Sequence, residues 1–378
     1  MLNVLHLINY PGKGGTEKYI LSLAERLHGN GCTFYLGHSE DGPMLDTVRQ
    51  LGIETIHIPM KSPYDFRAAI AVKETCRKLG IDIIHTHFLR ENYISIISKL
   101  AGNKAAVIYT HHMLTEKNAV LRMSNKLFTA MDDRIIAVSR AVRDMMVSEG
   151  ISPSKIEVIY NGVDCDYWTG QRSMKFRKEF GISEDDFVIT SAARFSEEKG
   201  HAFLLEAIKD FKGQAAKCPE GFAQRVKFVL VGDGELLEKA RKLAAELGIS
   251  DITVFTGYRT DIRNILLDSD LYVSHSKSES LGISILEALA CGLPVVSTDS
   301  GGPSEIINGG TGCGILIKYG DTESFAGAVL RLVTDKSLYA ALKSKTVKTV
   351  KNMFSLEKTA GETYNLYKSS LAKSRKAV

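Results

Sequence analysis

The chain has 378 residues, 44% hydrophobic and 24% charged, with a formal net charge of +4. That length exceeds one ordinary core, so two domains are expected. The charge is too small for a nucleic-acid binder, and no apolar run approaches the roughly 20 residues of a membrane span. Six cysteines (Cys32, Cys76, Cys165, Cys218, Cys291, Cys313) lack CxxC spacing, which speaks against a zinc site or a disulfide framework. The sequence opens directly into a strand pattern at Leu2, without the features of a signal peptide. A cytoplasmic protein, or one peripheral on the inner face of a membrane, is expected.

In chain order, short apolar runs at 4–8, 33–37, 54–58, 81–85, 106–110, 134–138 and 156–160 read as strands. Stretches such as 16–28, 67–79 and 139–149 carry apolar residues at helical spacing. Strands apolar on both faces and joined by helices indicate a parallel, doubly wound sheet. Asn161-Gly162-Val163-Asp164 then reads as a hinge. The pattern restarts with strands at 187–192, 226–231, 253–256, 271–274 and 294–298, and the chain closes in helices over 321–333, 336–352 and 356–373. Two Rossmann-like domains facing each other across a cleft are expected. Ligands of such sheets bind at the carboxyl ends of the strands.

The segment from Ser278 to Val296 is the strongest signal. It follows a strand, turns at Gly282 and enters a helix that stops at Gly292. Glu279 lies in the loop and Glu287 about one turn into the helix. The unpaired backbone N–H groups at such a helix start suit a diphosphate, and a carboxylate on the helix can accept hydrogen bonds from a ribose. Arg194 follows the first strand of the second block and Lys199 is expected to begin the next helix.

Gly12-Lys13-Gly14-Gly15-Thr16-Glu17 lies between the first strand and first helix. It lacks the third glycine of a dinucleotide fingerprint and has Glu17 there instead. His85 and His87 alternate at a strand end and share one face; a metal would need a third ligand, and none shows by spacing. The tripeptides Asp164-Cys165-Asp166 and Asp268-Ser269-Asp270 could suggest a metal, but two carboxylates make an incomplete Mg²⁺ site, so both are read as structural. Residues 121–128 are amphipathic and basic, as in an ordinary buried helix or a helix resting on an anionic membrane.

Glu279 and Glu287, seven residues apart, together with Ala288, Gly292, Pro294 and Val295, make the chain resemble the family-4 retaining glycosyltransferases of the GT-B fold. Further matching motifs recur in order: Gly14-Gly15-Thr16-Glu17, Asp82 to His87, Thr110-His111-His112, Val138-Ser139, Asn161 to Asp164, Arg194 to Lys199-Gly200, Gly232-Asp233-Gly234, Gly257 and Gly301 to Glu305. The departures are Ser280-Leu281-Gly282 where many members have Gly-Phe-Gly, and His275 ahead of Ser278-Glu279 where Pro-Ser is common.

The resemblance implies an acceptor-binding domain over 1–160, a nucleotide-sugar donor-binding domain over 165–354, and a last helix, 355–378, that returns to the first domain. It implies transfer of a hexosyl or N-acetylhexosaminyl group, with retention, from a nucleotide-diphosphate sugar weighted toward UDP. The acceptor would be glycan, lipid-linked or small-molecule, in polysaccharide, glycolipid or related glycoconjugate synthesis. No cofactor or metal is called for. Arg194 and Lys199 would hold the pyrophosphate and Glu279 the sugar hydroxyls. Glu287 would hold the ribose, and backbone groups of Ser280, Leu281, Gly282 and Ile283 the phosphates. Tyr258 and Arg259 would lie near the base. Gly15 would close over the phosphates, and His112, rather than His111 on the opposite face, would stand near the sugar's 6-hydroxyl. The competing expectations are a nucleotide-sugar 2-epimerase of the same fold and a non-catalytic nucleotide-binding subunit.

Overall fold

The computed structural model describes residues 1–115, 118–308 and 311–374. The chain divides into two compact units, residues 1–161 with 356–378, and residues 162–355. Of the expected terminal segment, residues 375–378 lie outside the described residues.

The first unit is built on seven strands: β1 (Leu2–Ile8), β2 (Cys32–His38), β3 (Glu54–His57), β4 (Ile83–Thr86), β5 (Ala106–His111), β6 (Arg134–Ala137) and β7 (Ile156–Val158). They pair in the order β3-β2-β1-β4-β5-β6-β7, and every pairing is parallel. The central strands are buried on both faces, which is why they read as unbroken apolar runs. Val4, Ile8, Leu23 and Phe34 pack in one cluster with Ala360, Leu366 and Tyr367, so helix Leu356–Ser374 belongs to this unit's core.

The second unit has six strands: β8 (Phe187–Ala192), β9 (Val226–Val231), β10 (Thr253–Gly257), β11 (Leu271–Ser274), β12 (Val295–Thr298) and β13 (Gly314–Ile317). Their order is β10-β9-β8-β11-β12-β13, again all parallel. The edge strand β13 was not expected. The helix expected over 336–352 is two helices, Lys336–Lys343 and Thr346–Met353.

In each sheet the connections reverse direction at one place, between β1 and β4 and between β8 and β11. Open α/β sheets bind ligands beyond the carboxyl ends at such switch points. The boundary between units, at Asn161 and Gly162, falls where the turn-forming tetrapeptide was read as a hinge. There Val163 donates to the Phe354 carbonyl and bridges to Ser355, while Asp164 caps helix Cys165–Trp168 by accepting from Asp166 and Tyr167.

Candidate active site

At the β8/β11 switch of the second unit, the loops after the strands are held by backbone-to-backbone approaches that only glycine permits. Gly232 and Gly234 follow β9 with φ of 142° and 152°. A Cβ on Gly232 would lie 2.0 Å from the Ala193 carbonyl oxygen, and one on Gly234 2.5 Å from that of Phe195. These two glycines thus press the β9 loop onto the backbone on either side of Arg194. Likewise a Cβ on Gly302 would lie 2.3 Å from Leu281 Cα, while Glu279 donates to the Ser300 carbonyl and accepts from Gly302 N–H. The Glu279 loop is thereby fixed before any side chain is considered.

Lys199 closes a short 3-10 turn, Glu197–Lys199, ahead of helix His201–Ala215 rather than beginning that helix as expected. Gly200 follows in the left-handed region, at φ 71°, where a Cβ would lie 2.5 Å from the His275 carbonyl oxygen. The His275 ring bonds the Lys199 carbonyl through Nδ1 at 2.6 Å and Ser191 Oγ through Nε2 at 2.8 Å. Burial lowers His275 to about 4, so the ring is neutral and can donate through one nitrogen and accept through the other. The departure from the family pattern at His275 therefore ties the end of β11 to the turn that carries Lys199.

Two of the expected side chains meet directly. Lys199 Nζ donates to Glu279 Oε2 at 2.6 Å, with the two side chains 25% and 16% exposed. Arg194 is 67% exposed and donates to Glu198 at 2.8 Å, which raises its already high pKa. Burial alone would raise the Glu198 carboxyl, but hydrogen bonds from Ser196 and Arg194 hold it at about 2. Beside Glu279, helix Ile283–Ala290 starts at Gly282, φ 99°, with no side-chain cap on its N-terminus. Leu281 is buried, so the loop offers its backbone there. Two cations, a carboxylate and an uncapped helix start beyond the carboxyl ends of the two central strands can bind a diphosphate and orient the group attached to it.

Other expected residues are placed differently. Glu287 is on helix Ile283–Ala290 as expected, with 7% of its surface exposed. Tyr258 is 64% exposed in the loop after the edge strand β10. Arg259 does not offer a free guanidinium. It is held by Glu179 through two bonds, 2.6 and 2.9 Å, and by Asp261 through two more. The acidic tripeptides have structural partners: Asp268 accepts from the backbone N–H groups of Ser173, Met174 and Phe176, and Asp270 pairs with Arg177 at 2.7 Å and with Arg172.

In the first unit, Gly14 caps helix Gly15–Leu27, and Glu17 turns back so that its carboxylate accepts from Gly12 N–H at 3.2 Å. A side chain at Gly14 would collide with that carboxylate, 2.7 Å from the ideal Cβ. Glu17, which stands where a dinucleotide fingerprint has its third glycine, thus braces the loop itself.

The β1/β4 switch carries a cluster of histidines. His6 and His85 are register partners on neighbouring strands, so their side chains share a face. His6, His85 and His87 bring ring nitrogens within 4.8 Å of one another, so the third histidine that spacing could not show is His6, some 80 residues away. Both nitrogens of His85 are already bonded, to Tyr367 Oη and Thr110 Oγ1, each at 2.6 Å. As built, the cluster is a hydrogen-bonded network rather than a set of open ligands. His112 joins it through His87 Nδ1 at 3.2 Å and packs edge-on against Tyr19, whereas His111 bonds the Tyr109 hydroxyl on the other face. Burial is the main cause lowering all four of His6, His85, His87 and His112, to about 3 for His6 and His112.

Residues 13–167 match the Glycosyltransferase Family 4 profile, and residues 173–349 match that of Glycosyl transferases group 1. The chain is a family-4, group 1 glycosyltransferase. This glycosyltransferase is 27% identical over 381 residues to the UDP-Gal:alpha-D-GlcNAc-diphosphoundecaprenol alpha-1,3-galactosyltransferase of Escherichia coli, covering 97% of this chain and 96% of that one. It is 26% identical over 312 residues to the N-acetyl-alpha-D-glucosaminyl L-malate synthase of Bacillus anthracis, covering 81% and 79%. HepE of Anabaena, solved in complex with UDP and glucose, has the same fold. Its TM-score is 0.85 at 21% identity, over 98% of this chain and 100% of that one. With two parallel Rossmann-like sheets, the glycosyltransferase has the GT-B fold.

Proposed function

We propose that this glycosyltransferase takes a sugar, hexosyl or N-acetylhexosaminyl, from a UDP-sugar with retention and without a metal. The observation that carries the reading is the Lys199–Glu279 pair, held between β8 and β11 beside an uncapped helix start and the exposed Arg194. Lys199 has three N–H donors and Glu279 takes one, so a diphosphate can take another without breaking the pair. The pyrophosphate then lies against Arg194, Lys199 and the N–H groups of residues 280–283. These fixed donors meet the negative charge that grows as the glycosidic bond breaks, and need not reorganise. Glu279, oriented by Lys199, accepts from hydroxyls of the transferred sugar, and Glu287 accepts from the ribose. On the first unit, His112 donates to a sugar hydroxyl and the Gly15 turn supplies backbone N–H groups. No carboxylate is assigned as a nucleophile: the acceptor attacks the face the diphosphate leaves, and the leaving phosphate takes the acceptor's proton.

The donor assignment is supported by HepE, solved with UDP and glucose. The acceptor reading, a lipid-linked or other glycoconjugate intermediate of polysaccharide or glycolipid synthesis, is supported by the Escherichia coli relative, whose acceptor is an alpha-D-GlcNAc-diphosphoundecaprenol. Incubation with a panel of nucleotide sugars and acceptor fractions tests it. Release of UDP that requires acceptor, with the donor's anomeric configuration kept in the product, is expected. Interconversion of the nucleotide sugar without UDP release would mean an epimerase instead.

The proposal includes peripheral contact with a membrane. Helix Ala119–Thr129 packs Phe128 against Tyr93 and buries Asn125 and Thr129, yet it exposes Val120, Leu121, Met123 and Leu127. Val120, Met123 and Leu127 form one stripe, and exposed Arg122 and Lys126 form another beside it. An exposed apolar stripe flanked by cations fits the surface of an anionic bilayer. Leu127→Glu should reduce co-sedimentation with phosphatidylglycerol vesicles; equal binding by variant and parent would remove the membrane from this reading.

A further inference from the structure

The histidine cluster contains a directed chain. His6 Nδ1 lies 3.1 Å from His87 Nε2, and His87 Nδ1 lies 3.2 Å from His112 Nε2. The ring centroids are 5.3 and 5.5 Å apart, with interplanar angles of 8° and 29°. Those separations are close to the longest that such N···N distances allow. Each contact therefore runs nearly along the line joining the ring centres, as an in-plane ring-to-ring hydrogen bond does and a face-to-face stack does not.

A neutral imidazole has one N–H and one lone pair. Three rings in series can then be protonated in only two concerted ways. In one, every ring carries its proton on Nδ1: His6 donates to His87, His87 donates to His112, and His112 is left with an N–H at Nδ1. In the other, every proton sits on Nε2 and the bonds run backward. The far end of the chain decides between them. His6 is buried, and its Nε2 has no hydrogen-bond partner among the described residues. The backward polarity would strand an N–H there, and a buried N–H without an acceptor is the rarer and costlier defect. The forward polarity leaves only a bare lone pair. His85 does not compete, because both its nitrogens are taken by Tyr367 and Thr110.

We infer that His6 and His87 are positioning residues that lock His112 as an Nδ1–H donor, presenting it to an oxygen of the sugar. The inference rests on the reading that His112 contacts a sugar hydroxyl. It adds that the contact is a one-way donation decided three rings away, inside the sheet. Such a lock favours a partner with a free lone pair over one that can only donate.

The test is the tautomeric state of the rings in the full-length protein, read from two-bond ¹H–¹⁵N correlations of ¹⁵N-histidine-labelled enzyme. His6, His87 and His112 are expected to carry protons on Nδ1 and none on Nε2. A proton on His112 Nε2 overturns the inference whatever the activity shows. His87→Gln keeps a donor and an acceptor in the chain and should retain turnover within about threefold. His87→Phe keeps a ring but breaks the chain, and should lose about tenfold or more, the scale of one hydrogen bond, with His112 shifting to mixed tautomers. If His87→Phe turns over like the parent, or leaves the His112 tautomer unchanged, the lock does not exist. Turnover unaffected by His112→Ala would instead remove His112 from the proposed sugar site, an outcome the spectrum of the parent enzyme distinguishes from failure of the lock.

Discussion

Replacing Lys199 by alanine perturbs two things that can be separated by assay. The ammonium sits 2.6 Å from Glu279 Oε2, and without it the Glu279 carboxylate is left, among the described residues, with Ser276 Oγ at 3.4 Å. As one of the fixed charges facing the leaving diphosphate, Lys199 should be worth about 2.7–4 kcal/mol in the transition state, so turnover should fall about 10²–10³-fold. In the ground state a charged hydrogen bond contributes roughly 1.5–3 kcal/mol, so UDP should bind about 10–150-fold more weakly. Both partners keep some contact with water, so the stability cost should stay below the roughly 3–5 kcal/mol of breaking a fully buried pair. Glu279→Gln gives the contrast. It frees Lys199 from its carboxylate, so UDP should bind at least as tightly as to the parent while turnover drops. Isothermal titration with UDP and a UDP-release assay, run on both variants, separate the two effects. If Lys199→Ala binds UDP as tightly as the parent, the diphosphate lies elsewhere and the site assignment is wrong.

Turnover should survive excess EDTA, because Arg194, Lys199 and the start of helix Ile283–Ala290 supply the positive field; loss on chelation that Mg²⁺ or Mn²⁺ restores would refute that. Gly232→Ala should both destabilise the second unit by about 1–3 kcal/mol or more and reduce activity, since its Cβ would meet the Ala193 carbonyl at 2.0 Å in a backbone conformation at φ 142°. A thermal unfolding midpoint equal to the parent's would contradict the close approach. Stability of the first unit should fall on acidification. Burial holds His6, His85 and His87 below the ordinary value near 6.5, so the unfolded chain takes up the protons as pH drops through that value and the folded state does not. Stability should therefore drop by a few kcal/mol from pH 7.5 to 5.5, and urea unfolding at the two pH values that showed no difference would refute the buried, neutral cluster.

What could be read in advance and what could not divides along physical lines. The strands of both sheets were legible because parallel strands are buried on both faces and stand out as apolar runs between helices. The exception, β13, is a four-residue edge strand of intermediate burial, too short to show a period. That Arg194 and Glu279 stand just beyond β8 and β11 was legible as well, because position relative to a strand end is local information. Which groups pair was not. Lys199 meets Glu279 across 80 positions, and His6 meets His87 across 81. These meetings depend on β1 lying beside β4 and β8 beside β11, and strand order is a property of the assembled sheet. The glycines of Gly232-Asp233-Gly234 and Gly301-Gly302 show the same division. As motif letters they mark a resemblance, but their cause is the approach of one backbone to another, 2.0 Å from an added Cβ at Gly232 and 2.3 Å at Gly302. Helix Ala119–Thr129 is the sharpest case. Its amphipathic pattern was legible while its orientation was not, because a 3.6-residue period identifies an apolar face without saying whether that face turns inward. With Asn125 and Thr129 inside, the exposed apolar side chains of Val120, Met123 and Leu127 are not accounted for by this unit's own core.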